Sequence, residues 1–397
     1  MTNKVYQVPY GTKDILPGEM KTRRGIENAI INVFDKWGYD EVKTPDFEYV
    51  DTFGAAGAKG DFRFFDRSNN LLALRNDMTA PIARLTATRL QGGEKIKRLC
   101  YLANLYRYEE IQAGRQCEFE QAGVEMLGAS GAAAEVIVLA AEALQAAGLQ
   151  KFAISLGHVD FINGLAEEAG FDAAQLQQLK DCLRRHDAVG MQQMADAMEN
   201  IRPEIKQLFA DFLFLQGGIE LLDKVAAIVT NAKCQGALND LRKIYKLVDA
   251  YGAAGYLSFD LGLYRSLDYY TGMLFEVYLP EMGYPVAGGG RYDKMIGKFT
   301  GQDTPACGFS IGFERIVTIL MEQGGRVEDG TVRKAYLVEK GMDSARFSQI
   351  MKQAMDERRA GVQVLVSQMN KNKKFQKEQL GKEGYTEFVE FYREALK

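Results

Sequence analysis

Two histidines, His158 and His186, are the only ones in this 397-residue chain, and no HxxH or HExxH spacing joins them. A structural or catalytic transition metal is therefore not expected, because such sites draw on closely spaced His and Cys ligands. The five cysteines (Cys100, Cys117, Cys182, Cys234, Cys307) are scattered with no CxxC pair. They read as reduced thiols, not as a disulfide or zinc framework. No G-x-G-x-x-G or G-x-x-x-x-G-K-[ST] run occurs, which leaves Rossmann and P-loop readings without support. A net charge of −4 gives no global basic footprint for nucleic acid, though it leaves room for a local patch. The most apolar stretch, Val136 to Leu149, is interrupted by Glu142 and Gln145 and is too short to cross a bilayer. The opening segment, MTNKVYQVPYGTKDILP, has no apolar signal-peptide core. These absences predict a cytoplasmic chain with no membrane span. The length suggests roughly two to three domains.

What is present is a strand-rich pattern interrupted by helices. Residues 21–37 read as a helix with Ile26, Ile30, Val33, Phe34 and Trp37 on one face and Gly38 as a stop. An extended run at 39–44 ends at Pro45. Residues 62–66 and 71–75 read as a hairpin around Ser68, Asn69 and Asn70. A helix is expected from about Ala80, with Asp77 or Thr79 as its cap and Pro81 in its first turn. Strands at 98–107 and 118–127 flank a polar loop, and a helix at 130–147 precedes a strand at 151–157. From Asp160 to Tyr251 only helical periodicity is visible, which predicts an inserted helical subdomain at 160–251. Strands resume at 256–263, 273–279, 285–288 and 307–310, and a helix follows at 312–322. After a break at 324–330 the tail reads strand, helix, strand and a basic helical end. Strand-dominated segments with helices grouped between them predict an α+β fold: an antiparallel sheet flanked by helices over 1–325, then a small α/β domain at 331–397.

Within this pattern the run Leu261–Glu276, LGLYRSLDYYTGMLFE, sets Arg265 beside Asp268, Tyr269 and Tyr270. A pocket for a small zwitterion needs a fixed cation and phenol rings with hydrogen-bonding tips. A half-buried strand whose Arg and Asp pair at the surface accounts for the same residues equally well. Arg107 and Arg115 fall at a strand end and in the following loop, and Arg315 opens a helix. Planar guanidinium forks at element ends can cradle phosphates. Taken one by one, three unlinked arginines are more often surface ion pairs.

The order of the pieces carries further. Tyr10-Gly-Thr-Lys-Asp-Ile-Leu-Pro17, Leu74-Arg-Asn-Asp-Met-Thr79, Gln121-Ala-Gly-Val-Glu125, Arg265-Ser-Leu-Asp-Tyr-Tyr270 and Gly289-Gly-Arg-Tyr-Asp293 follow one another along residues 8–322. Together they resemble the class II aminoacyl-tRNA synthetases, and more narrowly histidyl-tRNA synthetase. The resemblance implies a histidine pocket. Asp77 would meet the ammonium, and Thr79 and Gln121 the main-chain end. Arg107 would lie near the carboxylate. Glu125 and Tyr270 would hold the imidazole, with Tyr269 and Tyr292 as walls, and Arg265 matches the arginine that assists activation. Arg107, Arg115 and Arg315 would form a vestigial nucleotide site.

Departures from the synthetase pattern matter as much. In Gly114-Arg-Gln-Cys-Glu-Phe119 the neutral Cys117 stands at the family's second Arg position. Asp77 replaces a Glu, while Met78 and Ser266 each replace a Gly. The 77 residues after Leu320 are fewer than an anticodon-binding domain needs, which implies a truncated one. A histidine pocket kept while nucleotide and tRNA parts erode resembles the regulatory subunits of ATP phosphoribosyltransferase in histidine biosynthesis. That resemblance implies no catalytic residue, no cofactor and no metal. The expected partner is the short-form catalytic subunit, with histidine as feedback effector, a homodimer within a hetero-octamer, no tRNA and no membrane. An active histidyl-tRNA synthetase is the alternative reading, and an RNA-binding adaptor the third.

Overall fold

The computed structural model describes residues 4–54, 60–90, 95–108, 116–265, 269–323 and 332–393. The chain divides into two compact units, Met1–Arg326 and Val327–Lys397. In the first, helix α1 (Pro17–Lys36) precedes strands β1 (Asp40–Glu41), β2 (Phe47–Tyr49), β3 (Arg63–Phe65) and β4 (Leu71–Leu74). Helix α2 (Thr79–Arg89), the long strands β5 (Lys97–Tyr106) and β6 (Glu118–Leu127), helix α3 (Ala133–Ala146) and β7 (Ala153–His158) follow. Then come helices α4 (Val159–Glu168), α5 (Ala173–Arg185), α6 (Ala188–Asp196) and α7 (Pro203–Ala210), strand β8 (Gln216–Gly217), and helices α8 (Ile219–Ala226) and α9 (Ala232–Ala250). The unit closes with β9 (Leu257–Asp260), β10 (Met273–Tyr278), β11 (Ala287–Arg291), α10 (Gly297–Thr300), β12 (Ala306–Gly312) and α11 (Phe313–Glu322).

Among the described residues, nine strands form one sheet in the order β1-β5-β6-β12-β11-β10-β7-β9-β8, and β2-β4-β3 form a small second one. The large sheet is antiparallel except for the pairs β1–β5 and β7–β9. The helical stretch differs from expectation in one respect. Two extended residues, β8, return from it to the sheet edge beside β9. A two-residue strand has no periodicity to read. Among the described residues no helix is long and apolar enough to cross a membrane.

Side chains alternate faces along a strand, so register decides what shares a surface. Glu125 stands between Leu99 and Gly308, Gly123 between Tyr101 and Ser310, and Gln121 between Ala103 and Gly312. On β11, Gly288 stands between Ser310 and Glu276. Tyr101, Gln121, Glu125, Ser310 and Glu276 therefore share one face. The opposite face carries Val124, Phe275, Phe309 and Ile311, all buried. Helix α1 covers it with Ile26, Ile30 and Phe34, the Phe34 ring meeting Phe309 edge-on at 5.9 Å.

α1 starts earlier than its apolar stripe, at Pro17, because proline suits the first helical position. It also buries a cation. Arg23 donates to both carboxylate oxygens of Glu314 (2.9 and 2.6 Å) and to Glu120 (3.1 Å). This ties α1 to β6 and α11 beneath the site face. Arg23→Lys keeps the charge and loses the fork. It is expected to destabilise this unit by about 1.5–3 kcal/mol, the worth of a charge-assisted hydrogen bond. Denaturant unfolding followed by the single tryptophan, Trp37, reads that loss.

The second unit is a parallel sheet in the order β14-β13-β15, built from β13 (Arg333–Val338), α12 (Ser344–Arg359), β14 (Gln363–Gln368), α13 (Lys373–Lys382) and β15 (Glu387–Phe391). The basic end contains the expected helix, α13, but finishes as a strand. Glu387-Phe-Val-Glu-Phe391 pairs with β13, a long-range contact that rescues a run too short to identify alone.

Candidate functional site

Asp77, Thr79, Arg107, Gln121, Glu125, Arg265, Tyr269, Tyr270 and Tyr292 all line one inner chamber of about 80 Å³ on the site face of the large sheet. They come from the start of α2, the end of β5, β6, the segment before β10 and the turn after β11. Arg115, Ser266 and Asp268 lie outside the described residues.

Glu125 is the buried centre of the chamber. Its carboxylate accepts hydrogen bonds from Thr79 Oγ1 at 3.1 Å and from the Tyr292 hydroxyl. Asp77 accepts the backbone N–H of Ala80 at 3.0 Å, so the residue read as either cap or ligand group also anchors the first turn of α2. Arg107 is fixed by donating Nε to the carbonyl of Asn76 at 2.8 Å, with its guanidinium over the Phe119 ring. The Arg265 guanidinium lies over the Tyr270 ring at 5.5 Å, and Tyr270 in turn packs on Tyr269, which meets Tyr292 edge-on.

Chamber and sheet fit because three glycines replace side chains on the site face. A Cβ at Gly308 would come within 2.0 Å of Glu125 Oε2, and one at Gly123 within 2.5 Å of the Tyr101 hydroxyl. One at Gly288 would meet Arg265. Tyr101, Gly288, Gly308 and Ser310 line the chamber and were not singled out from the sequence. A usable signal existed. Glycines inside a strand weaken it and often mark close approach of another group, and β11 holds three in a row.

An outer cleft of about 570 Å³ adjoins the chamber, sharing Arg107, Gln121, Arg265, Gly288 and Ser310 with it. Arg315 lines this cleft from α11, with its guanidinium 4.7 Å from the Tyr284 ring centroid. Glu120, Glu276 and Glu314 line it too, so its charge is mixed. Arg184 and His186, from the end of α5, reach it from the helical stretch and were not anticipated. Cys117 does not line it. The thiol is buried and packs on the bare Cα of Gly11, and the Cys117 N–H donates to the Gly11 carbonyl at 2.7 Å.

Burial dominates the electrostatics. It pushes the Glu125 carboxyl up to about 8, against the hydrogen bonds from Tyr292 and Thr79. It also raises Asp77, opposed by the Ala80 N–H and by Arg107. The folded state thus holds the Glu125 proton more tightly than the unfolded chain, whose glutamate titrates near ~4.3. Stability from this group is complete below about pH 4, declines up to about pH 8 and is flat above. Glu125→Gln does not titrate. It is expected to gain stability over wild type across that window, at up to about 1.4 kcal/mol per pH unit. Unfolding series at pH 5 and pH 8 check the widening gap.

A family model described as histidyl-tRNA synthetase matches residues 11–316. A Moorella thermoacetica protein named ATP phosphoribosyltransferase regulatory subunit is 39% identical over 373 residues, 92% of this chain and 93% of that one. One of the same name from Desulforamulus reducens is 40% identical over 314 residues, 78% of each. The crystal structure of an ATP phosphoribosyltransferase regulatory subunit/histidyl-tRNA synthetase from Bacillus halodurans matches with a TM-score of 0.84 at 30% identity, covering 98% of this chain and 99% of that one. Fold, motif order and these relatives agree: the chain belongs to the histidyl-tRNA synthetase-like family of ATP phosphoribosyltransferase regulatory subunits.

Proposed function

We propose that this chain is a non-catalytic, cytoplasmic regulatory subunit that joins the short-form catalytic subunit of ATP phosphoribosyltransferase, activates it and senses free histidine. The observation that carries the reading is the inner chamber. Nine residues expected around histidine converge there, while the position where the family has its second loop cation holds a thiol buried against Gly11. Histidine's ammonium would meet Asp77, its carboxylate Arg107 or Arg265, and its imidazole Glu125 with Tyr270 alongside. A cation supplied by the ligand suits a buried acid that, among the described residues, receives only hydroxyl hydrogen bonds.

A homodimer within the larger assembly is part of the proposal. Phe47, Tyr49, Phe64 and Phe65 of the small sheet are exposed, an aromatic surface of the kind interfaces use. The second reading, an active synthetase, draws on Arg107, Arg265 and Arg315, which all line the outer cleft. Histidine-dependent ATP–pyrophosphate exchange separates the two. The expected result is exchange at background level, because a buried thiol cannot stabilise a developing phosphoryl anion. Robust exchange, or charging of histidine tRNA, would overturn the regulatory reading.

A further inference from the structure

We propose that Gly288 is a positioning residue. Its bare Cα forms the slot in which the Arg265 guanidinium lies, and so holds that cation at the wall shared by chamber and cleft. A Cβ at position 288 would sit 2.3 Å from Arg265 Nη1 and 3.0 Å from Cζ. The nearest obstacle is therefore the tip of a flexible side chain. Its backbone neighbour, the carbonyl oxygen of Phe275, would lie at 3.0 Å, whereas a Cβ at Gly308 would press to 2.3 Å on the carbonyl oxygen of Val124. Alanine at 288 should move chiefly Arg265, with the strand giving by no more than a few tenths of an ångström at Phe275.

The placement matters because Arg265 is under-used where it stands. Its Nη1 is buried and has no hydrogen-bond partner among the described residues. Its Nε approaches Glu276 only to 3.6 Å. A buried donor left unpaired is costly, and strand glycines weaken the sheet that carries them. Both costs make sense if the free N–H is kept for the anion of a ligand. On the reading of the chamber given above, which this inference assumes, that anion is the ligand's α-carboxylate. The fork would be offered edge-on to it, with Tyr270 and Gly288 fixing its plane.

The test is a double-mutant cycle of Gly288→Ala and Arg265→Ala in the full chain, read both by histidine calorimetry and by unfolding midpoint. If Gly288 acts through Arg265, alanine at 288 lowers histidine affinity about tenfold or more beside Arg265 and less than about twofold once Arg265 is removed. It also lowers the unfolding midpoint more beside Arg265 than without it. An equal penalty in both backgrounds overturns the proposal and assigns Gly288 to the strand alone. Failure of the wild type to bind histidine would defeat the histidine reading instead. The unfolding cycle would still decide whether Gly288 sets Arg265.

Discussion

Adding this chain to the short-form catalytic subunit of ATP phosphoribosyltransferase is expected to start a reaction that neither chain performs at a comparable rate alone. The chain has no recognisable phosphoribosyl-pyrophosphate loop, and on the proposed reading its chamber holds an amino acid, so its effect would act through assembly. Gel filtration should show the two chains co-eluting in a complex larger than a dimer of either. Added histidine should then lower the rate. An effector shifts an equilibrium only by its differential affinity for two states, and a typical coupling of ~1–3 kcal/mol corresponds to about 5–150-fold. Glu125→Ala and Arg265→Ala should blunt that inhibition more than they weaken co-elution, because both residues line the chamber and neither lies on the exposed aromatic surface. The measurement is the forward rate with ATP and phosphoribosyl pyrophosphate, with and without this chain. A catalytic subunit equally active alone, with no co-elution, would refute the assignment.

Free histidine should bind the isolated chain without ATP or tRNA, and Glu125→Ala or Asp77→Ala should cost ~2–5 kcal/mol of that affinity, the range for stranding one member of a buried charge pair. That is about 30-fold to several thousand-fold in Kd. Asp77 needs a control, because it also accepts the Ala80 N–H at the start of α2. Asp77→Asn keeps an acceptor for that N–H and removes the charge, so it should lose histidine with little loss of fold. Calorimetry on the wild type and the three variants checks this. Asp77→Asn binding as tightly as wild type would detach Asp77 from the ammonium. No binding by wild type would defeat the chamber assignment as a whole. Glu125→Gln completes the picture: it is expected to be the more stable protein at pH 8 and the poorer binder. Such a trade is common where a site holds a group at a cost to the fold.

Much of this molecule could be read along the chain. The helices and long strands could be read from the chain, and β6 was placed to the residue, Glu118–Leu127. The nine chamber residues were named from the resemblance that the ordered motifs carry, since each motif is local: a residue type and its neighbours. What periodicity could not show were pairings between distant segments. β8 and β15 exist because β9 and β13 are there to accept them. Whether Cys117 faced the cleft or the N-terminal segment depended on Gly11, 106 residues away. Arg184 and His186 reach the outer cleft because the helical stretch folds back toward the sheet.

The sequence by itself therefore determined which residue types line the chamber and in which elements they sit, because those depend on local chemistry and local period. The tertiary structure alone decided how closely they meet. Register between β6 and β12 set Gly308 beside Glu125, and register between β12, β11 and β10 put Gly288 on the same face, where Arg265 packs on it. That spacing depends on long-range strand pairing, and a shift of one residue in β6 would have turned Gln121 and Glu125 to the opposite face.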